Sequence, residues 1–127
     1  MGVPGMRGRP PSQTLKDAIT LALLRGMVMV CVNNPERLFD FTITGTVPIS
    51  FVKVRFCPNV LDTIAMIAED FKEDIRLLRF VTKEPMISLE LWLRSRYGTW
   101  RFFRVNGESV IEIDRQGNPM EVKPISS

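Results

Sequence analysis

The chain has 127 residues, 45% of them hydrophobic, which supports one domain with one core and is too short for two. Seventeen basic residues against fourteen acidic ones give a net charge of +3, a mildly basic balance that permits nucleic acid as a partner without demanding it. Histidine is absent, which removes Ser-His-Asp and Cys-His catalysis, zincin chemistry and any histidine general base, and two cysteines cannot by themselves fill a four-ligand zinc site.

Residues 1–11, MGVPGMRGRPP, hold three Gly and three Pro and predict a flexible basic arm ahead of a single domain over 12–127. The arm has no apolar run of the kind a secretion signal needs. A first helix is predicted from about Ser12 to Arg25, capped by Ser12 and ended by Gly26, with Leu15, Ala18, Ile19, Ala22 and Leu23 on its buried face. The longest apolar stretch, Ala18 to Val32, is broken by Arg25-Gly26 and is too short to span a bilayer. Within it MVMVCV (27–32) is wholly apolar and predicts a central strand buried on both sides. Cys31 and Cys57 lie in or beside apolar strands and read as buried free thiols, which points to a reducing, cytoplasmic compartment.

After the turn NNPER, residues 38–44 alternate, with Phe39, Phe41 and Ile43 on one face and Asp40, Thr42 and Thr44 on the other. GTVP breaks the run before a second β-rich stretch, PISFVKVRF (48–56). A long helix from about Val60 to Arg79 follows, with Asn59 as its cap and Val60, Ile64, Ile67, Phe71, Ile75 and Leu78 as its apolar stripe. Glu69, Asp70, Glu73 and Asp74 form an acidic outer face that is predicted to be solvated. Three more strands, ISLELWLRSR, TWRFFRV and SVIEID, are joined by turns at Tyr97-Gly98 and Asn106-Gly107, and the polar tail after Asp114 is predicted to fray. The order is α-β-β-β-α-β-β-β, an α/β domain with a mixed sheet flanked by helices.

Lys53 sits in the middle of an apolar strand, so it either faces solvent or points into a site that needs a cation. A hairpin centred on Thr46 and Val47 places Asp40 opposite Lys53 on one face. That juxtaposition is either an ion pair or the remnant of a metal-dependent phosphodiesterase site. The element order, with Asp40 on the second strand and Lys53 on the third, resembles the PD-(D/E)XK nuclease superfamily, the fold of restriction endonucleases and archaeal Holliday-junction resolvases. The resemblance covers roughly residues 12–96 and implies a restriction-endonuclease-like domain. In that family the first acid and an acid two residues before the lysine bind Mg²⁺, while the lysine orients the attacking water. By resemblance Asp40 is a catalytic and metal-binding residue and Lys53 a catalytic one. The second acid's position is held by Phe51. Asp40 alone beside an ammonium is a poor Mg²⁺ site. A migrated acid could complete the site: Glu36 precedes the second strand and Glu69 lies on the second helix, but nothing in the sequence places either near Asp40, and Asp17 lies on the side of the first helix away from its main apolar stripe.

The remaining cations form the other candidate set. Two-residue turns would put Arg94 opposite Arg101, Trp92 opposite Phe103, and Arg101 opposite Glu112, leaving Arg94 and Arg96 with no assigned acid. Such a face reads either as partly ion-paired or as a phosphate-contacting surface with Trp92 as a stacking platform. RGRP (7–10) resembles the core of the AT-hook, a short arm whose arginines lie in the A·T minor groove. The expectation is a nucleic-acid-binding protein with a degenerate nuclease site, contacting double-stranded or branched DNA through Arg7, Arg9, Lys53, Arg55, Arg94, Arg96 and Arg101. The alternatives are an active Mg²⁺-dependent endonuclease with a migrated acid, and a protein-interaction module without nucleic acid. Many relatives of the fold dimerise, which adds a homodimer to the expected assemblies.

Overall fold

The computed structural model describes residues 12–31, 38–45, 47–81 and 84–120. The elements run α1 (Ser12–Leu23), β1 (Met27–Val30), β2 (Phe41–Thr44), β3 (Ile49–Phe56), α2 (Ile64–Asp70), α3 (Lys72–Leu78), β4 (Ile87–Arg94), β5 (Trp100–Val105) and β6 (Val110–Ile113). Six strands form one mixed sheet in sequential order, and every neighbouring pair is antiparallel except β3 and β4. The parallel pair requires a crossover, which α2 and α3 supply.

The sheet carries an apolar core on each face. Ala18 and Ala22 of α1 pack with Phe41, Ile43, Val52, Val54, Trp92, Phe102 and Ile113. On the other face Ile67 of α2, Ile75 and Leu78 of α3, and Phe71 between the two helices pack with Leu89, Leu91, Leu93, Phe103 and Val105. β3 and β4 are therefore covered twice, and their side chains are buried almost throughout. No helix among the described residues is long and apolar enough to cross a membrane.

Four expectations need correction. MVMV forms an edge strand, not a central one: Met27 and Met29 are 68% and 63% exposed because neither helical layer reaches over them. The long helix is two helices that meet at Phe71, whose backbone (φ −111°, ψ 24°) leaves the α region. The cap is Thr63, which accepts a hydrogen bond from the Met66 N–H at 3.2 Å, and not Asn59. The β4–β5 connection is a five-residue loop closed by the Ser95 N–H on Thr99 O, and the pairs are Leu93 with Arg101 and Arg94 with Trp100. That is one residue off a two-residue turn at Tyr97-Gly98, so Arg94 and Arg101 lie on opposite faces of the sheet.

Twelve basic and twelve acidic residues fall among the described positions. The surplus of positive charge belongs to Arg7, Arg9, Arg37, Lys83 and Lys123 against Glu36 and Glu121, all outside them. The basic arm with Arg7 and Arg9, the turn NNPER and the residues after Met120 likewise lie outside the described residues.

Candidate functional site

The β2–β3 register pairs Phe41 with Val52 and Ile43 with Ser50, and continuing it by one step sets Asp40 across from Lys53. The two do not form the ion pair. Asp40 is 5% exposed, and its Oδ2 accepts the Val54 N–H at 2.8 Å and an N–H of Arg55 at 3.2 Å. Lys53 is fully buried and its Nζ donates to Asp74 Oδ1 at 3.0 Å. Arg55 joins the two halves: its Nε donates to the same Asp74 oxygen at 3.0 Å, and NH1 also donates to the carbonyl of Val54 at 2.6 Å. Among the described residues, two carboxylates and two cations come together here in one largely buried network.

Asp74 is the acid that comes to this corner, in place of the solvated position expected of it. Its side chain is 20% exposed, whereas Glu69 and Glu73 lie outside and pair with Lys72 and Arg76 one turn on. The sequence carried the signal, since Asp74 is three residues past Phe71 and four before Leu78, both on the buried stripe. Burial pushes the Lys53 ammonium below its ordinary pKa, the Arg55 charge adds to this, and Asp74 and Asp40 oppose it.

A divalent metal of the kind the nuclease resemblance implies does not fit these residues. Phe51 stands where the second acid belongs and packs edge-on against Phe39 at 4.9 Å, at the margin of the core. The Asp40 and Asp74 carboxylates already hold Arg55 and Lys53. Among the described residues no three Asp, Glu or Cys side chains converge as metal ligands.

The other face of the sheet holds a second ionic cluster that the sequence reading missed. Glu90, in the middle of β4, is fully buried and accepts five hydrogen bonds. Arg25 donates two, at 2.9 and 3.1 Å; Ser50, Ser88 and Trp92 Nε1 donate one each, at 2.8, 2.9 and 3.0 Å. Burial alone would raise the Glu90 carboxyl, but the Arg25 hydrogen bonds and charge, helped by Trp92 and Ser50, hold it below the usual carboxylate range. Trp92 is thus a core residue, in edge contact with Phe41 and Phe102, and not a stacking platform. A charged residue alone in an apolar strand was the available signal, the same one that singled out Lys53.

The remaining candidate arginines are dispersed. Arg94 lies on the α1 face with NH2 3.4 Å from Asp17, so it does have an acid, while its buried Nε has no hydrogen-bond partner among the described residues. Arg96 is exposed in the loop after β4. Arg101, on the α2–α3 face, binds Glu112 through two N–H groups and donates to the carbonyls of Val60 and Asp62, tying down the segment ahead of α2. Both cysteines are free thiols; Cys57 is buried and Cys31 only half-buried. Burial pushes the Cys57 thiol above its ordinary pKa. Comparison of the chain with models of protein families, with curated proteins and with solved structures finds no match.

Proposed function

We propose that this chain is a nucleic-acid-binding protein on a restriction-endonuclease-like domain whose catalytic corner has become a buried ion-pair network. The single observation that carries the reading is Arg55. Its guanidinium lies against Asp40 and Asp74, where the resembling nucleases hold a divalent cation, and with Lys53 it balances both acids. The element order and the placing of Asp40 across from Lys53 support the fold half of the proposal. The basic surplus supports the binding half. Since the described residues carry no net formal charge, the basic residues outside them supply the long-range attraction for phosphate, Arg7 and Arg9 foremost.

The test has two arms. Supercoiled plasmid and branched DNA incubated with the protein in Mg²⁺ or Mn²⁺ should stay intact. Metal-dependent nicking that disappears in Asp40→Ala would instead establish the endonuclease reading. Fluorescence anisotropy of a labelled duplex over a salt series should give a linear log–log plot, with a slope of roughly −0.9 per phosphate neutralised. Deleting residues 1–11 should make that slope shallower by about 2, one for each arginine removed. Absence of duplex binding at low salt would end the nucleic-acid reading.

A second reading has its own observation. β1 leaves one edge without a strand partner among the described residues, and beside it lie the exposed Leu23, Leu24, Met27 and Met29. An apolar edge without an intervening charge is a template for strand pairing, which fits a protein-interaction module or a homodimer. Sedimentation velocity of the native chain and of Met29→Lys tests it. A concentration-dependent dimer that the lysine abolishes supports this reading, and a monomer at every concentration removes the homodimer.

A further inference from the structure

Arg25 and Arg104 approach the same short loop from two sides. Residues 114–118 form a tight turn in which Asp114 Oδ1 accepts the backbone N–H groups of Gln116 and Asn118 at 2.9 and 3.0 Å. Gly117 sits there with φ +90°, a left-handed conformation, and a Cβ at this position would lie 2.7 Å from the Arg25 guanidinium. Arg104 NH2 donates to the carbonyl of Gly117 at 2.5 Å, and its Nε donates to Ser88 Oγ at 3.0 Å. Between these groups opens a cleft of about 420 Å³, lined by Arg25, Arg104, Gln116, Gly117, Asn118 and Pro48 among others, with no carboxylate among the described residues of its wall.

Charge accounting makes the cleft a site. Glu90 matches the charge of Arg25. Arg104 is held by neutral acceptors and has no carboxylate partner among the described residues. The Asp114 carboxylate is turned onto the backbone N–H groups of Gln116 and Asn118 and pairs with neither guanidinium among the described residues, so two guanidinium groups meet one carboxylate, Glu90, in a concave, half-buried setting. A guanidinium held in place by two neutral tethers is also pre-oriented, which lowers the ordering cost of meeting a ligand. The exposed side-chain amides of Gln116 and Asn118 add neutral donors at the rim.

We infer that the Arg25–Arg104 cleft binds the oxygens of a phosphate group. That the phosphate belongs to a nucleic-acid backbone rests on the function proposed above, whereas the affinity for a phosphate oxyanion rests on the cleft alone. A free phosphorylated small molecule offers the same oxygens and is the other source.

The experiment titrates the ¹⁵N-labelled full chain, in parallel, with inorganic phosphate and with a short duplex, and repeats both with Asn118→Asp. This substitution is isosteric and its site is exposed, a negative charge enters the cleft, and a cooperative thermal unfolding curve for the variant establishes that it folds before its binding is compared. Saturable shifts of the Gly117 and Asn118 amides with either probe, weakened about tenfold or more in Asn118→Asp, are the expected result when a carboxylate replaces a neutral donor beside bound phosphate oxygens. In the duplex arm the salt slope should also become shallower by about 1. Duplex binding with these amides unmoved and Asn118→Asp unchanged would overturn the cleft and leave the nucleic-acid reading intact. Cleft shifts with phosphate but no duplex binding would uphold the cleft for a free phosphorylated ligand and end the nucleic-acid reading. Silence with both probes would overturn both.

Discussion

Replacing Arg25 by Met removes the charged partner of Glu90 while keeping most of the side-chain volume. Glu90 is fully buried and would retain only the three neutral donors Ser50, Ser88 and Trp92. Leaving one ion of a buried pair behind costs about 3–5 kcal/mol. For a domain of this size a kcal/mol moves the melting temperature by roughly 3–6 °C, so Tm should fall by about 9–30 °C at pH 7. The loss should depend on pH in a definite sense. In the native chain the Glu90 carboxyl is held below its unfolded value, so the pair contributes fully above roughly pH 4.3 and fades as pH falls through the folded value. Without Arg25 burial is the dominant influence, and it raises the carboxyl; the variant then regains stability as pH falls through that raised value toward the unfolded one, roughly 4.3. Thermal melts of both proteins at pH 7 and 4.5 should therefore show a gap that narrows in acid. Adding Glu90→Gln to Arg25→Met should recover part of the loss at pH 7, because no charge is left behind. A gap of equal size at the two pH values, or a double variant that melts no higher than Arg25→Met, would refute the reasoning.

Gly117→Ala should destabilise by about 1–3 kcal/mol, because φ +90° is strained for any residue with a Cβ and that Cβ meets an Arg25 fixed on Glu90; urea unfolding measures it. Phe51→Glu rebuilds the acid-x-lysine spacing, yet it should bring no metal-dependent nicking, since Arg55 still holds Asp40, and it should lower stability by about 2–4 kcal/mol through loss of the Phe39 contact and entry of a carboxylate into a half-buried site. Plasmid nicking and a thermal melt on the same sample check both halves.

The β2–β3 hairpin was legible because GTVP confines the turn, and the expected register, with Asp40 opposite Lys53, is the one that the strand pairing extends to. It left β4–β5 ambiguous, because both faces of β4 are covered and LELWL offers apolar residues to either. A one-residue slip there exchanged the faces of Arg94, Trp92 and their neighbours. The Asn106-Gly107 loop was also misjudged: Val105 pairs with Val110, a slip of two residues from a two-residue turn. Two residues preserve the face, which is why the expected meeting of Arg101 with Glu112 still occurs, now diagonally. The strand MVMV was misplaced for a different reason. Apolar content reports burial, but an exposed edge can be just as apolar as an interior strand. Of the corner around Lys53, the Asp40 half was readable from local pairing. For the Asp74 half, the helical spacing from Phe71 and Leu78 places Asp74 beside the buried stripe, but its meeting with Lys53 needed the tertiary docking of α3, which no local pattern encodes.

β3 and β4, side by side at the centre of the sheet, send a buried charge cluster to each face: Lys53 and Arg55 one way, Glu90 with Ser50 the other. The consequence concerns which rival alignments are excluded. Sliding either strand by one position would turn Glu90 away from Arg25, or Lys53 away from Asp74, and leave an uncompensated charge inside an apolar layer. Leucine and valine are nearly interchangeable between such alignments, and these charges are not. The clusters thus act as a lock and key between neighbouring strands, with a polar key cut for each side of the sheet.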